Sequence, residues 1–147
     1  MSPIDDEMGL RNLMARYVDA VNRYDGNAWI ATWADNSCWH LMGTAVEGKD
    51  AIRALWEQMM SNFEIAVLFP NSCLFDIDGH TATGHWYLHE YSRDLQGNAS
   101  AILSRYLDSY AKVEDEWLFT SRQYDIIYNG PADLSGPFCR PPEPIRG

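Results

Sequence analysis

The sequence predicts a single α+β domain in which a curved antiparallel sheet is covered by three N-terminal helices, with one apolar pocket between the two layers. Three observations predict it. Up to residue 63 the apolar side chains recur at helical spacing, whereas from residue 72 they recur at every second position. Hydrophobic residues make up 46% of 147 positions, enough for one core, since a chain of this size buries roughly two thirds of its unfolded surface.

The first helix is expected over 5–25. Met8, Leu10, Leu13, Met14, Tyr17, Val18, Val21 and Tyr24 fall close to an i, i+3, i+4, i+7 stripe. Gly26-Asn27 is its expected stop, and a second short helix is expected over 28–33, with Trp29 and Trp33 one turn apart. A short strand is expected over 37–42, a turn region over 43–48, and a third helix over 49–63 with Ile52, Leu55, Trp56 and Met59 on one side.

Four strands come next. Cys73, Phe75 and Ile77 alternate with Ser72, Leu74, Asp76 and Asp78 up to the hairpin signal Asp78-Gly79. The next strand runs over 81–91, a loop over 94–98, a long strand over 100–113, a turn at Glu114-Asp115-Glu116, and the last strand over 117–128. Five prolines after Gly130 forbid regular structure in most of the C-terminal segment, so the chain divides into a domain over 1–130 and a Pro-rich tail over 131–147.

Composition excludes several classes. With 11 basic against 21 acidic residues the net charge is -10, a field that repels phosphate backbones, so nucleic acid is not an expected partner. The N-terminus lacks a basic and apolar leader, and no stretch of about 18 apolar residues occurs, so neither membrane nor export is expected and the cytoplasm is the expected location. Cys38, Cys73 and Cys139 form no C-x-x-C spacing and are read as free thiols, and no metal is expected.

The runs Tyr24-Asp25-Gly26-Asn27-Ala28-Trp29, Gly48-Lys49-Asp50-Ala51-Ile52, Ile77-Asp78-Gly79-His80 and Arg105-Tyr106-Leu107-Asp108-Ser109-Tyr110 are followed by Trp117 and Arg122. In that order and spacing, over 10–128, they resemble the SnoaL-like branch of the nuclear transport factor 2 (NTF2-like) superfamily. The resemblance implies a cone-shaped, cystatin-like fold and a homodimer. Members include scytalone dehydratase, a hexachlorocyclohexane dehydrochlorinase, steroid isomerase, polyketide cyclases and small subunits of ring-hydroxylating dioxygenases. The first two are nearest in pattern.

In those two, an Asp at the end of the first helix works with a His to remove a proton before a leaving group departs. Asp25 matches that Asp. Counting back from Asn71, the position of the His falls at Val67, which holds no proton, and a family lysine is replaced by Ala20. Trp39 resembles a pocket tryptophan, Arg122 an arginine that assists the departing anion, and Ser104 and Tyr106 fall where the dehydratase has polar pocket residues.

The residues themselves support a similar list. A carboxylate becomes a useful base when an apolar pocket raises its pKa, and Asp25 lies between Tyr24 and Trp29, with Tyr24 a possible hydrogen-bond donor to it or to substrate. Asp before Gly-Asn is also an ordinary helix terminus. On the strand over 81–91, His85, Tyr87, His89 and Tyr91 share one face while Trp86, Leu88 and Glu90 share the other. The second set suits a cavity better, which would make Glu90 a carboxylate inside it. His85 and His89 stand about 13 Å apart on a strand, too far for one zinc ion.

Asp108 is either a site residue or half of an ion pair with a nearby Arg. The expected substrate contacts are therefore Trp39, Leu41, Val67, Trp86, Leu88, Glu90, Ser104 and Tyr106, and the expected catalytic residues Asp25, Tyr24 and Arg122. The expected function is a cofactor-independent lyase or isomerase. Asp25 abstracts a proton from a small hydrophobic substrate of polyketide, steroid-like or aromatic type, and Tyr24, Tyr106 or Arg122 stabilises the anion. The alternative is a non-catalytic ligand-binding or partner subunit, such as a dioxygenase small subunit.

Overall fold

A computed structural model describes residues 2–141; the last six residues of the expected tail lie outside the described region. Helix α1 (Pro3–Asn22) starts where Ser2 and Asp5 cap each other reciprocally and Pro3 occupies the first turn. It buries Leu10, Leu13, Met14, Tyr17, Ala20 and Val21. Each large apolar side chain in that stripe contributes about 1.5–3 kcal/mol by leaving water.

The helix ends earlier than its apolar pattern suggests, because Tyr24 takes the left-handed conformation (φ 56°) and turns the chain. Helix α2 (Gly26–Ile30) then begins with Asp25 as its N-cap. Strand β1 (Trp33–Leu41) and β2 (Thr44–Glu47) form a hairpin, α3 (Lys49–Met60) comes after it, and β3 (Phe63–Asp78), β4 (Thr81–Asp94), β5 (Ala99–Val113) and β6 (Glu116–Pro131) complete the chain. Residues 43–48, expected as a turn region, thus contain a strand.

The six strands form one open sheet in the order β2-β1-β6-β5-β4-β3. All pairs are antiparallel except β1 with β6, which run parallel, a pairing that the long connection through β2, α3 and β3 to β5 makes possible. β3 begins nine residues before its expected start. Its first half contains Pro70 and a register shift between Pro70 and Ser72, so the alternation that marks a strand is broken there. Pro70 is tolerated because β3 is an edge strand.

The three helices cover one face of the sheet. Trp33, Trp39, Leu41, Leu68, Trp86, Leu88, Tyr106, Tyr110 and Phe119 contribute from the sheet to a core closed by Trp29, Ile52 and Trp56 from the helical side. Trp29 stacks on Trp56 with ring centroids 4.5 Å apart. α1 lies close on the sheet because residue 9 is Gly: a Cβ there would stand 2.7 Å from Trp117 Cδ1. No described helix is long and apolar enough to cross a membrane.

Candidate functional site

Between the helices and the wide end of the sheet lies a cavity of about 250 Å³. Its helical wall is Tyr17 and Val21 from α1 with Trp56, Met59 and Met60 from α3. Its sheet wall is Trp39 and Leu41 from β1, Ala66, Val67 and Leu68 from β3, Glu90 from β4, Ile102 and Tyr106 from β5, and Tyr124 and Ile126 from β6. Asn22 holds the β3 side in place, donating from Nδ2 to Leu68 O (3.0 Å) and accepting from Leu68 N at Oδ1 (2.8 Å).

Among the described residues lining this cavity, Glu90 is the one with an ionisable carboxyl. Tyr124 donates its hydroxyl to Glu90 Oε2. Burial pushes the Glu90 carboxyl above the usual carboxylate range, while the Tyr124 bond and the Arg122 charge pull the other way. Burial first, and then the Glu90 charge, push the Tyr124 phenol well above its ordinary value, so Tyr124 acts as a donor. Beside it, Tyr106 has its ring centroid 4.9 Å from that of Tyr124 and accepts a hydrogen bond from Trp39 Nε1 at 3.0 Å. The arrangement is a carboxyl that can exchange a proton, flanked by phenolic donors in apolar surroundings.

Arg122 lies one layer deeper and does not reach the cavity. Its Nε is 2.7 Å and its Nη2 3.1 Å from the two Asp108 oxygens, with both side chains fully buried. Tyr110 donates to Asp108 Oδ2 at 2.7 Å. The guanidinium sits 3.8 Å from the Tyr106 ring centroid, 4.0 Å from that of Phe119 and 4.5 Å from that of Tyr17. Burial opposes the Arg122 charge, but Asp108 holds the group protonated, and burial pushes the Asp108 carboxyl up. Of the two readings of Asp108, the ion pair is the one observed.

Asp25 stands outside the cavity. Its Oδ1 accepts from Ala28 N at 3.0 Å and its Oδ2 lies 3.3 Å from Arg23 Nη1. The backbone bond first, and the Arg23 charge after the opposing effect of desolvation, leave its carboxyl below the ordinary value. The expected surroundings, an apolar pocket floor with a raised pKa, are thus replaced by a helix cap at a half-exposed position. Tyr24 is 51% exposed, lies against Trp56 and reaches only Glu57 O, at 3.5 Å, instead of Asp25 or the cavity.

Of the expected substrate contacts, Trp39, Leu41, Val67, Glu90 and Tyr106 line the cavity. Trp86, Leu88 and Ser104 share its face of the sheet but are packed into the core beneath it. The opposite face carries His85, Tyr87 and His89, where His89 Nδ1 pairs with Asn71 Oδ1 at 2.9 Å. Among the described residues no group of three or more His, Cys, Asp or Glu is placed to hold a metal ion. Tyr124 and Tyr17 are site residues absent from the sequence-based list. The period of two from Arg122 on the last strand points to Tyr124, and the α1 stripe contains Tyr17.

Comparison with known proteins agrees with this architecture. The hexachlorocyclohexane dehydrochlorinase LinA superposes with a TM-score of 0.82 at 17% identity, over 95% of this chain and 96% of that one. A Novosphingobium aromaticivorans structure assigned as a scytalone dehydratase gives 0.83 at 14% identity, over 97% of each chain. A Nostoc punctiforme protein of unknown function with a cystatin-like fold gives 0.70 at 18% identity, over 86% of this chain and 93% of that one. At these identities the likeness is one of fold. No curated protein sequence matches. The profile of the SnoaL-like domain matches residues 2–123, and the chain therefore belongs to the SnoaL-like family of the NTF2-like superfamily.

Proposed function

We propose that the protein is a cofactor-independent enzyme of the lyase or isomerase type, in which Glu90 moves a proton on a small, mainly hydrophobic substrate. The observation that carries this reading is a single carboxyl, its pKa raised by burial and its oxygen bonded to Tyr124, inside a mostly apolar cavity. Asp25, capped and outside the cavity, gives up the role that its sequence match suggests.

In this reading the Glu90 carboxylate, held by the Tyr124 hydroxyl, takes a proton from the carbon next to a substrate carbonyl, and Tyr106 donates to the oxygen on which negative charge develops. The Glu90 carboxylic acid then returns the proton, either to a departing hydroxide or to another carbon. The first outcome is an elimination and the second an isomerisation. The names of two similar structures, a dehydrochlorinase and a dehydratase, denote eliminations and support the class.

The test is incubation with a panel of cyclic enones and β-hydroxy ketones in deuterated water, read by NMR for deuterium uptake, water loss or double-bond migration. Wild type should convert at least one member and Glu90→Gln none. Equal conversion by both would remove Glu90 from the chemistry. A second reading, ligand binding without turnover, is favoured by Val67 standing where the family dyad has His. A ligand recovered intact from purified protein would support that reading instead. Self-association would use the outer sheet face, where Phe69, Leu74 and Tyr91 are exposed.

A further inference from the structure

The cavity's inner end is accounted for by Glu90 and Tyr124; its mouth has a polar position of its own. We propose that Asn129, with Ser92, forms a second recognition point that selects ligands carrying an oxygen function at each end of a flat apolar body. The proposal rests on the reading of Glu90 as the polar group at the inner end.

The placement of Asn129 begins with backbone register. Between β5 and β6 the pairing shifts: Ser104 faces Ile126, but Leu103 faces Tyr128, so Ile127 is an extra residue. Without that bulge Tyr128 would pair with Ile102 and point into the cavity, because a one-residue slip reverses every side chain. With it, Asn129 pairs with Ile102 and lines the cavity, while Tyr128 turns to the opposite face.

The reversed Tyr128 is held there. It donates to Pro131 O at 2.7 Å, accepts from Gly136 N at 3.0 Å, and its ring lies 4.5 Å from that of Phe138. The segment after β6 thus fixes the register that aims Asn129 inward.

Glu90, Ile102 and Asn129 form one row across three neighbouring strands. Two strand spacings separate the outer members, about 9.5 Å between Cα atoms. Ile102 between them is apolar, as are Val21, Met59 and Met60 of the helical wall, so along this row the hydrogen-bonding side chains stand at the two ends. Ser92, two residues beyond Glu90 on the same strand, lines the cavity with them. No described hydrogen bond engages the Asn129 or Ser92 side chain, so both can serve a ligand. An amide both donates and accepts, which suits a hydroxyl or a carbonyl.

The probes are coumarin, with oxygen at one end, and 7-hydroxycoumarin, with a hydroxyl added at the other, titrated by calorimetry into wild type, Asn129→Leu and Glu90→Gln. Wild type should bind the hydroxylated probe about fivefold more tightly, the effect of one neutral hydrogen bond. Asn129→Leu should equalise the two affinities without weakening coumarin, and its unchanged melting temperature would show an intact fold. Glu90→Gln should weaken both probes by a common factor. If Asn129→Leu retains the fivefold preference, or if neither probe binds wild type at millimolar concentration, the proposal is overturned. If Asn129→Leu removes the preference while Glu90→Gln changes neither affinity, the mouth position stands and the Glu90 reading falls.

Discussion

Replacing Asp108 with Asn tests how the sheet holds the charge behind the cavity. The substitution keeps the size of the side chain and its bond from Tyr110, but it leaves the Arg122 guanidinium, fully buried, without a counter-ion. Breaking a buried pair from one side costs about 3–5 kcal/mol. For a domain of this size each kcal/mol lowers the midpoint by roughly 3 °C, so the variant should melt about 9–15 °C below wild type. Stacking of the guanidinium on Tyr106, Phe119 and Tyr17 offsets part of the loss, and this places the expectation toward the lower end.

The assay is thermal and urea unfolding followed by tryptophan fluorescence, with an unchanged urea slope required for the comparison. The double variant Asp108→Leu with Arg122→Met removes both charges and should be more stable than Asp108→Asn, and also than Asp108→Leu, with a coupling of at least about 2 kcal/mol across the cycle of Asp108→Leu, Arg122→Met and the double. A loss below about 1 kcal/mol in the single variant, or a double variant less stable than it, would refute the reasoning.

Other predictions concern the two carboxylates. Asp25→Asn should keep both turnover and the melting temperature, because Asn caps helices as well as Asp does, whereas Asp25→Ala should lower the melting temperature slightly and leave turnover intact. Turnover lost in Asp25→Asn with a normal melting temperature would return the chemistry to Asp25. Glu90 binds its proton more tightly folded than unfolded, so its contribution lowers stability as pH rises above the ordinary glutamate range. The stability of Glu90→Gln relative to wild type should therefore increase between pH 4 and pH 8; a pH-independent difference counts against a raised pKa. Tyr124→Phe removes a bond that favours the ionised form, so the Glu90 carboxyl should titrate at still higher pH in that variant, and a downward shift would contradict the assignment.

Most of the fold is legible in the sequence because each layer has its own period. The Leu10–Val21 stripe and the alternation through Cys73, Phe75 and Ile77 place a helix and a strand where the structure has them, whereas the Trp29–Trp33 spacing predicts a helix over 28–33 that ends at Ile30, Trp33 opening β1 instead. The periods miss the places where backbone geometry overrides pattern. Pro70 and the register shift beside it hide the first half of β3, and the shift between Trp33 and Cys38 hides the start of β1. The β1–β6 pair is parallel, which no local pattern announces.

The site divides along the same line. Trp39, Val67 and Tyr106 could be placed by family position and Glu90 by strand alternation; Leu41 shares the expected strand face of Trp39. Trp86, Leu88 and Ser104 have the right face but lie too deep, and facing does not encode depth. Asp25 matches a motif, yet the left-handed turn at Tyr24 carries it to the start of α2, where its carboxylate caps backbone N–H groups. Asn129 could not be found by alternation at all, since the bulge at Ile127 reverses the alternation before it.

The central claim is that the cavity holds a carboxyl that burial keeps protonated to higher pH than an ordinary glutamate. It is tested most directly by the pH titration of the Glu90 side-chain carbon by carbon-13 NMR, assigned by its loss in Glu90→Gln. The expected midpoint lies clearly above the ordinary glutamate range. A midpoint at or below that range would mean that Glu90 ionises as an ordinary surface carboxylate does, and would contradict this claim.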